Sequence, residues 1–513
     1  MISRLTFQDC RVIGHYLGML ILVMGFSMVV PLVIAVILNE LDAAVIFLKC
    51  LGIMLICGGV LIFCRVESGP MDWRQALMVT ALSWIVLSFF GTIPLWLSGH
   101  YATFLDAFFE GVSGLTATGF SLVIDIDHMA YSMISWRFIL HLMGGIGVLV
   151  IALALGLFGS GTSAATLYTA EGRGDHVMPE IKQTSRFIAK VSAIVIVVGS
   201  IVCFIPMVIA GQSPMKAGFN AVWTTISAYA TGGMQGSSMG VMLYHCWPLE
   251  IITMLIMFFG VINFTLYGDV WRGLLKNFFK DIEVKTLALW ISVLVVLMAF
   301  ACIMSGSAIS DLPALVRRAL YLIISAATNT GFATTYPGQV LYGMGSGALF
   351  VVILSMIVGG SASSTTGGIK AFRIGMVFKA IVQTIREAMA ADSVKPRTFF
   401  YHQGRKLLTP DLASAALTIF LLYILSFAVG TVAGIVHGYD ALPAIFDSVS
   451  AAANAGLSAG VVSVGMPPVL EAVYIIQMLL GRLEFIALFA AIVQIVVSLD
   501  PRKSARRERR NKK

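Results

Sequence analysis

Charge is what this sequence has least of. Aspartate, glutamate, lysine and arginine together make up 12% of its 513 residues, where a soluble domain carries roughly 25%. With 58% hydrophobic residues and a mean hydropathy of +0.92, a soluble core could not cover the apolar surface, and the long apolar runs are those of a chain that crosses a membrane many times. Cysteine is thin as well. The seven cysteines include no CxxC and no His/Cys ligand spacing, and most sit in apolar runs as small hydrophobes, so neither a disulfide framework nor a metal cluster is expected. No G-x-G-x-x-G segment is present, so this chain offers no dinucleotide fold and calls for no organic cofactor. His, Asp and Glu do not gather in or beside the apolar runs, which ranks a membrane enzyme remote.

Apolar segments lie near 12–38, 43–64, 76–98, 138–163, 188–210, 249–270, 286–304, 349–390 (interrupted), 411–436 and 468–498. The first is too long for the apolar core of a signal peptide and reads as a retained span. Ten crossings put both termini on one side. That side collects 28 of the 34 lysines and arginines, which makes it cytoplasmic and explains the net charge of +8 without nucleic acid as a partner. The sequence divides into two N-terminal spans (1–70), four units (71–187, 188–285, 286–410 and 411–500) and a basic tail (501–513).

Each unit holds a segment on the outer side too short to cross. These end Gly114-Leu115-Thr116-Ala117-Thr118-Gly119-Phe120, Ser227-Ala228-Tyr229-Ala230-Thr231-Gly232-Gly233, Ala326-Ala327-Thr328-Asn329-Thr330-Gly331-Phe332 and Ala452-Ala453-Asn454-Ala455-Gly456-Leu457. A helix-compatible piece is followed by small or hydroxyl residues and a glycine. Gly119, Gly232, Gly331 and Gly456 recur at intervals of 113, 99 and 125 residues, and a second glycine (Gly145, Gly260, Gly360, Gly481) follows each after 25 to 29. Two landmarks in step over four copies mark a fourfold internal repeat, whose copies run parallel about an axis along the membrane normal.

Ion chemistry gives such a repeat a purpose. A cation stripped of water in a low-dielectric medium costs tens of kcal/mol unless oxygens replace its shell. Short helices dipping inward each bring about −0.5 charge at their C-terminal ends. Glycine then lets the backbone turn its carbonyls towards a common axis.

With those loops in view, the chain resembles the Trk/Ktr/HKT superfamily of cation transporters, and within it the bacterial TrkH/TrkG type, over essentially its whole length. The implied fold is an all-α polytopic membrane protein: four parallel helix–pore loop–helix pseudo-repeats around a central pore, plus two extra N-terminal helices. The resemblance implies potassium uptake across a bacterial inner membrane. The K+ filter would comprise Thr116, Ala117, Thr118 and Gly119, then Ala230, Thr231 and Gly232. It would be completed by Thr328, Asn329, Thr330 and Gly331, and by Asn454, Ala455 and Gly456. It further implies a homodimer and a cytosolic nucleotide-binding regulatory subunit. The second loop reads Thr-Gly-Gly and the fourth has no threonine, so the filter is asymmetric. In the related plant transporters a serine in place of the first-loop glycine accompanies Na+ preference; Gly119 is retained here.

The eighth apolar segment is broken by Gly359-Gly360-Ser361-Ala362-Ser363-Ser364-Thr365-Thr366-Gly367-Gly368. It lacks the GK[ST] ending of a phosphate loop, and at mid-depth such backbone is tolerated only beside water or protein. Arg482 falls at the matching depth of the fourth unit, where an ionised residue suggests function. Loop and arginine are expected to form a gate, moved through the basic segment 370–406. A symporter coupled to H+ or Na+ is the alternative, with Glu484 its one weak candidate for a coupling carboxylate. A group of outer-side acids (Asp106, Glu110, Asp125, Asp127, Asp311, Asp440, Asp447) suggests a negative vestibule, and His141 reads as a packing residue.

Overall fold

A computed structural model describes residues 4–63, 71–155, 162–170, 181–304, 311–335, 339–391 and 397–499; the basic tail lies outside them. Helix dominates because long apolar runs in lipid must pair every backbone group within the segment. Among the described residues, six helices are long and apolar enough to cross a membrane, Leu41–Ile62 and Trp73–Leu97 among them, and two sharply bent helix pairs raise that to eight if each is one span. Leu41–Ile62 is largely exposed, as a lipid-facing helix should be, whereas Trp73–Leu97 is mostly buried and belongs to the inner shell.

The N-terminal hairpin pairs Phe7–Ser27 with Leu41–Ile62. Gly18 and Gly58 meet at the crossing, where a Cβ on Gly18 would lie 2.8 Å from the Gly58 carbonyl oxygen; small residues let the backbones approach. The hairpin is tied to the rest through Glu40, whose carboxylate accepts from the Tyr131 and Ser132 amides at 2.8 and 3.0 Å. Those are orphan donors at the start of the helix Tyr131–Ile146.

Each unit contains a helix too short to span: Phe104–Leu115, Pro214–Tyr229, Leu312–Ala327 and Ala441–Ala452. At ~1.5 Å per residue, their 12 to 16 residues reach only part-way through a hydrocarbon core of about 30 Å. Their starts are written in the sequence. Thr103 and Asp106 form a capping box on the first, and proline occupies the first turn of the second and third.

The expectation of one interrupted span is too few. The helix after each short helix is broken. Tyr131–Ile146 stops at Gly147, φ +96°. Trp247–Val261 and Phe264–Trp271 meet at 100°, and Pro468–Arg482 and Ile486–Leu499 at 111°. In the third unit Ser346–Ile357 gives way to the glycine-rich loop before Ala371–Met389. A landmark glycine explains part of this. A Cβ on Gly144, Gly260 or Gly481 would fall 1.7, 2.3 or 1.9 Å from the carbonyl oxygen of Leu115, Tyr229 or Ala452, at the end of the short helix of the same unit. Gly144, beside Gly145, is thus the residue in register with Gly260 and Gly481.

Candidate functional site

The four short helices end alike. Beyond each, the amides of Thr118, Gly232, Thr330 and Ala455 donate to the carbonyls of Ser113, Ser227, Ser325 and Ser450 at 2.8 to 3.0 Å. One residue earlier in each loop, Ala117, Thr231, Asn329 and Asn454 take the left-handed conformation, φ +50° to +55°. One residue later, Gly119, Gly233, Gly331 and Gly456 have φ +96°, +64°, +91° and +71°.

This corrects the second loop by one residue. Gly233 stands where Gly119, Gly331 and Gly456 stand, and Gly232 matches Thr118, Thr330 and Ala455. The physical reason is that the loop contains two adjacent glycines with different tasks. Gly233 supplies the positive φ. Gly232 makes room for a histidine, since a Cβ there would lie 2.8 Å from His141 Nε2. The signal was present in the sequence. A serine precedes each of these positive-φ glycines by six residues, at 113, 227, 325 and 450, and alignment on serine selects Gly233 where alignment on Thr-Gly selects Gly232.

The loops close a ring. A Cβ on Gly119 would fall 1.8 Å from the Gly232 oxygen, on Gly233 2.0 Å from Thr330 oxygen, on Gly331 2.4 Å from Ala455 oxygen, and on Gly456 2.0 Å from Thr118 oxygen. Each glycine thus meets the carbonyl before the next unit's glycine, in the order one, two, three, four and back to one. All four line one open cavity of about 380 Å³, together with Asp125, Asp127 and Ser121.

Side chains knit the ring. The hydroxyls of Thr116 and Thr118 lie 2.7 Å apart, and those of Thr328 and Thr330 2.8 Å. The fourth loop, which has no threonine, uses an amide. Asn454 Nδ2 donates to Thr118 Oγ1 and to the Met478 carbonyl, each at 2.9 Å. Asn329 makes the second of these contacts in its own unit, to Met356 at 2.8 Å.

Of the outer acids, only Asp125 and Asp127 line the cavity. His128 holds the exposed Asp125 carboxyl below its ordinary range, chiefly by a side-chain hydrogen bond. Asp106, Asp311 and Asp440 sit at helix starts, and Glu110 and Asp447 are buried in protein, so a seven-member negative vestibule is not what the fold builds.

Beneath the ring lies the glycine-rich loop. Its ends are pinned by a two-residue parallel pairing, Val358 with Ile369 and Gly359 with Lys370. Its interior seats itself in the bend of the second unit. Ser361 N donates to Val261 O at 3.1 Å, Phe264 N to Ser363 O at 3.0 Å, and Thr365 N to Gly260 O at 3.2 Å. Thr365 Oγ1 lies 3.0 Å from both the Tyr229 and Gly260 oxygens and 3.1 Å from Thr231 Oγ1. On the opposite side, a Cβ on Gly367 would be 2.2 Å from Ala453 O. The loop therefore reaches from the second loop to the fourth.

Arg482 meets it there. One guanidinium nitrogen donates to Thr365 O at 2.7 Å, and another to the carbonyls of Gly144 and Gly145, with the Trp84 ring 5.4 Å away. Arg482 thus meets residues 117 to 338 positions away, and three different units converge below the glycine ring. Glu484 does not join them; it pairs with Arg373. His141 is a packing residue in the plain sense, its Nδ1 lying 2.8 Å from Gly114 O.

A family model described as TrkH, cation transport protein, matches residues 43–500. The chain belongs to the TrkH family. An uncharacterised cation transporter of Methanocaldococcus jannaschii is 31% identical, over 94% of this chain and 96% of that protein. The Trk system potassium uptake proteins TrkH of Halomonas elongata and TrkG of Escherichia coli are 27% and 28% identical, over 93% and 92% of this chain and 97% and 96% of their own. The crystal structure of the potassium transporter TrkH from Vibrio parahaemolyticus shares the fold, with a TM-score of 0.79 at 23% identity over 97% of this chain and 99% of that one. This TrkH-family chain is accordingly a multi-pass membrane cation transport protein.

Proposed function

We propose that this chain carries potassium into a bacterial cell through a channel-like pore whose filter is the ring at Gly119, Gly233, Gly331 and Gly456. The observation that carries the reading is ring closure. Four left-handed glycines, each against the next unit's carbonyl, surround one vestibule, and four helix C-termini aim partial negative charge at the same place. Such an array favours a dehydrated cation where hydrocarbon would reject it. The neighbouring filter residues are Thr116, Ala117, Thr118, Ala230, Thr231, Gly232, Thr328, Asn329, Thr330, Asn454 and Ala455.

The loop Gly359–Gly368 and Arg482 form the gate. A fixed positive charge below the ring raises the barrier to a cation, and the loop occupies the space that a hydrated ion would need. Movement comes from the cytoplasmic side, through a nucleotide-binding regulatory subunit acting on a homodimer in the inner membrane, both termini facing the cytoplasm. A route exists. His402, on the hairpin Phe399–Leu407, lies 3.1 Å from Asp281 Oδ2. Asp281 accepts from the Glu283 amide at 2.8 Å, and Glu283 Oε1 accepts from Ala362 N at 2.7 Å.

H+ or Na+ symport is the second reading, and the pairing of Glu484 with Arg373 weighs against it, because a coupling carboxylate has to change its charge or partner in each cycle. Purified protein in liposomes under opposed K+ and Na+ gradients tests the pore. A reversal potential near that of K+ is expected, and one that follows Na+ would refute potassium preference.

A further inference from the structure

The fourfold repeat hides a twofold difference behind the ring. Nine residues before the filter-position glycine stand Glu110, Thr224, Leu322 and Asp447. The two acids are 1% and 0% exposed, and they do the same thing. Glu110 accepts from Ser121 Oγ at 3.2 Å and from Leu122 N at 2.9 Å. Asp447 accepts from Ser458 Oγ at 2.7 Å and from Ala459 N at 2.5 Å. In both units the donors are the serine two positions beyond the glycine and the amide three beyond it. Arg137 extends the first brace: its Nε donates to Glu110 at 2.8 Å, and Nη1 to the Gln235 carbonyl of the second loop at 3.1 Å. Val462 N extends the second, donating to Asp447 at 2.7 Å. The second and third units have neither part, since Gln235 and Ala333 replace the serine.

We propose that Glu110 and Asp447 are positioning residues that set the pore's ion preference, by clamping the strand that leaves the filter glycine in the first and fourth quadrants. A peptide leaving a left-handed glycine is free to rotate unless its next amides are held. A buried carboxylate, accepting charge-assisted bonds from two or three donors, is a stiff holder. The proposal rests on the ring being the filter. It adds that two quadrants hold its radius while the third, which also carries the gate loop, has no such clamp among the described residues.

The test is reversal potential in liposomes for Asp447→Asn, Asp447→Glu and Gly119→Ser. Glu110→Gln is the poorer probe, because it strands the Arg137 guanidinium in the interior. The amide of Asp447→Asn keeps one acceptor oxygen and turns an NH2 towards the other donors, so the K+/Na+ permeability ratio should fall about fivefold, on the scale of one lost hydrogen bond. Asp447→Glu should recover most of it, since the first unit already uses the longer acid. A merely structural role would lower melting temperature for both variants and leave the ratio alone. Folded, conducting Asp447→Asn with the wild-type ratio overturns the clamp, provided Gly119→Ser alters the ratio. If Gly119→Ser leaves it unchanged too, the filter reading falls and takes the clamp with it. Should Asp447→Asn fail to fold, Ser121→Ala and Ser458→Ala each remove one donor without touching a charge; about a twofold fall supports the clamp, and an unchanged ratio in both overturns it.

Discussion

Exchange of Gly233 for alanine separates two registers that differ by one residue in the second loop. Its φ of +64° costs a residue with a side chain about 1–2 kcal/mol. The steric part is larger. The new Cβ lies 2.0 Å from Thr330 O, where real contacts essentially never fall under 3.0 Å, so the third loop must retreat by about 1 Å. That is a backbone atom of the ring, and no side-chain rotation relieves it. One quadrant displaced so far no longer matches a single ion size, and the K+/Na+ permeability ratio should fall at least about tenfold, the equivalent of about 1.4 kcal/mol. Gly232→Ala is the paired control. Its Cβ meets the His141 ring 2.8 Å away, an overpacking that costs about 1–3 kcal/mol of stability, but the ring carbonyls keep their places. Reversal potentials, read beside melting temperatures, give both quantities. Loss of preference in Gly232→Ala with preference retained in Gly233→Ala would refute the register and the ring built on it.

Further changes probe the other parts. Gly119→Ser, with φ +96° and a Cβ 1.8 Å from Gly232 O, should erode K+ preference while protein still assembles, as read from reversal potential and gel filtration. Asn454→Ala removes the amide bonds to Thr118 and Met478 and should lower stability by about 1–3 kcal/mol, measured as a drop in melting temperature. Arg482→Ala should raise K+ flux up to about thirtyfold, taking a unit charge about 8 Å from the ion at an effective dielectric of ~20; wild-type flux in this variant and in a deletion within Gly360–Gly367 would refute the gate. Glu484→Gln should leave the pH dependence of uptake as it is, and a flattened pH profile would favour a coupled symporter.

Most of the scaffold is legible before any coordinates, because lipid makes hydrophobic length nearly equivalent to structure. The apolar runs, the short re-entrant segments and the glycine at each turn all follow from composition and spacing. What stays hidden is what depends on neighbours distant in sequence. Gly232 and Gly233 look alike to an alignment on Thr-Gly; the spacing from Ser227 separates them in the sequence, and the His141 ring and the Thr330 carbonyl show why the two differ. The breaks after Val261 and Arg482 escape notice because each holds a single polar residue, Asn263 or Glu484, in an otherwise apolar run. Glu110 and Asp447 look like vestibule charges from their place on the outer side. Their serine and amide donors lie 11 to 15 residues further on, Arg137 lies 27 beyond Glu110, and only the folded loop turns the acids inward.

The glycine-rich loop and the bend in the second unit need one another. A 100° turn after Val261 leaves the Gly260 and Val261 carbonyls and the Phe264 amide outside any helix ladder, at a depth where an unpaired group costs several kcal/mol. The glycine-rich loop is itself ten residues of irregular backbone, equally in need of partners. Each satisfies the other through Ser361, Ser363 and Thr365. Displacing the loop therefore exposes both sets of groups together, and entering water would have to replace what is lost. If the loop is the gate proposed above, opening it and wetting the pore are one event. A partner that pulls on the Phe399–Leu407 hairpin would act on the loop through the short route His402, Asp281, Glu283 and Ala362. His402→Ala cuts that route at its first link, and it should weaken stimulation of flux by the proposed regulatory subunit more than it changes ion preference. Full stimulation in that variant would place the mechanical connection elsewhere in the basic segment.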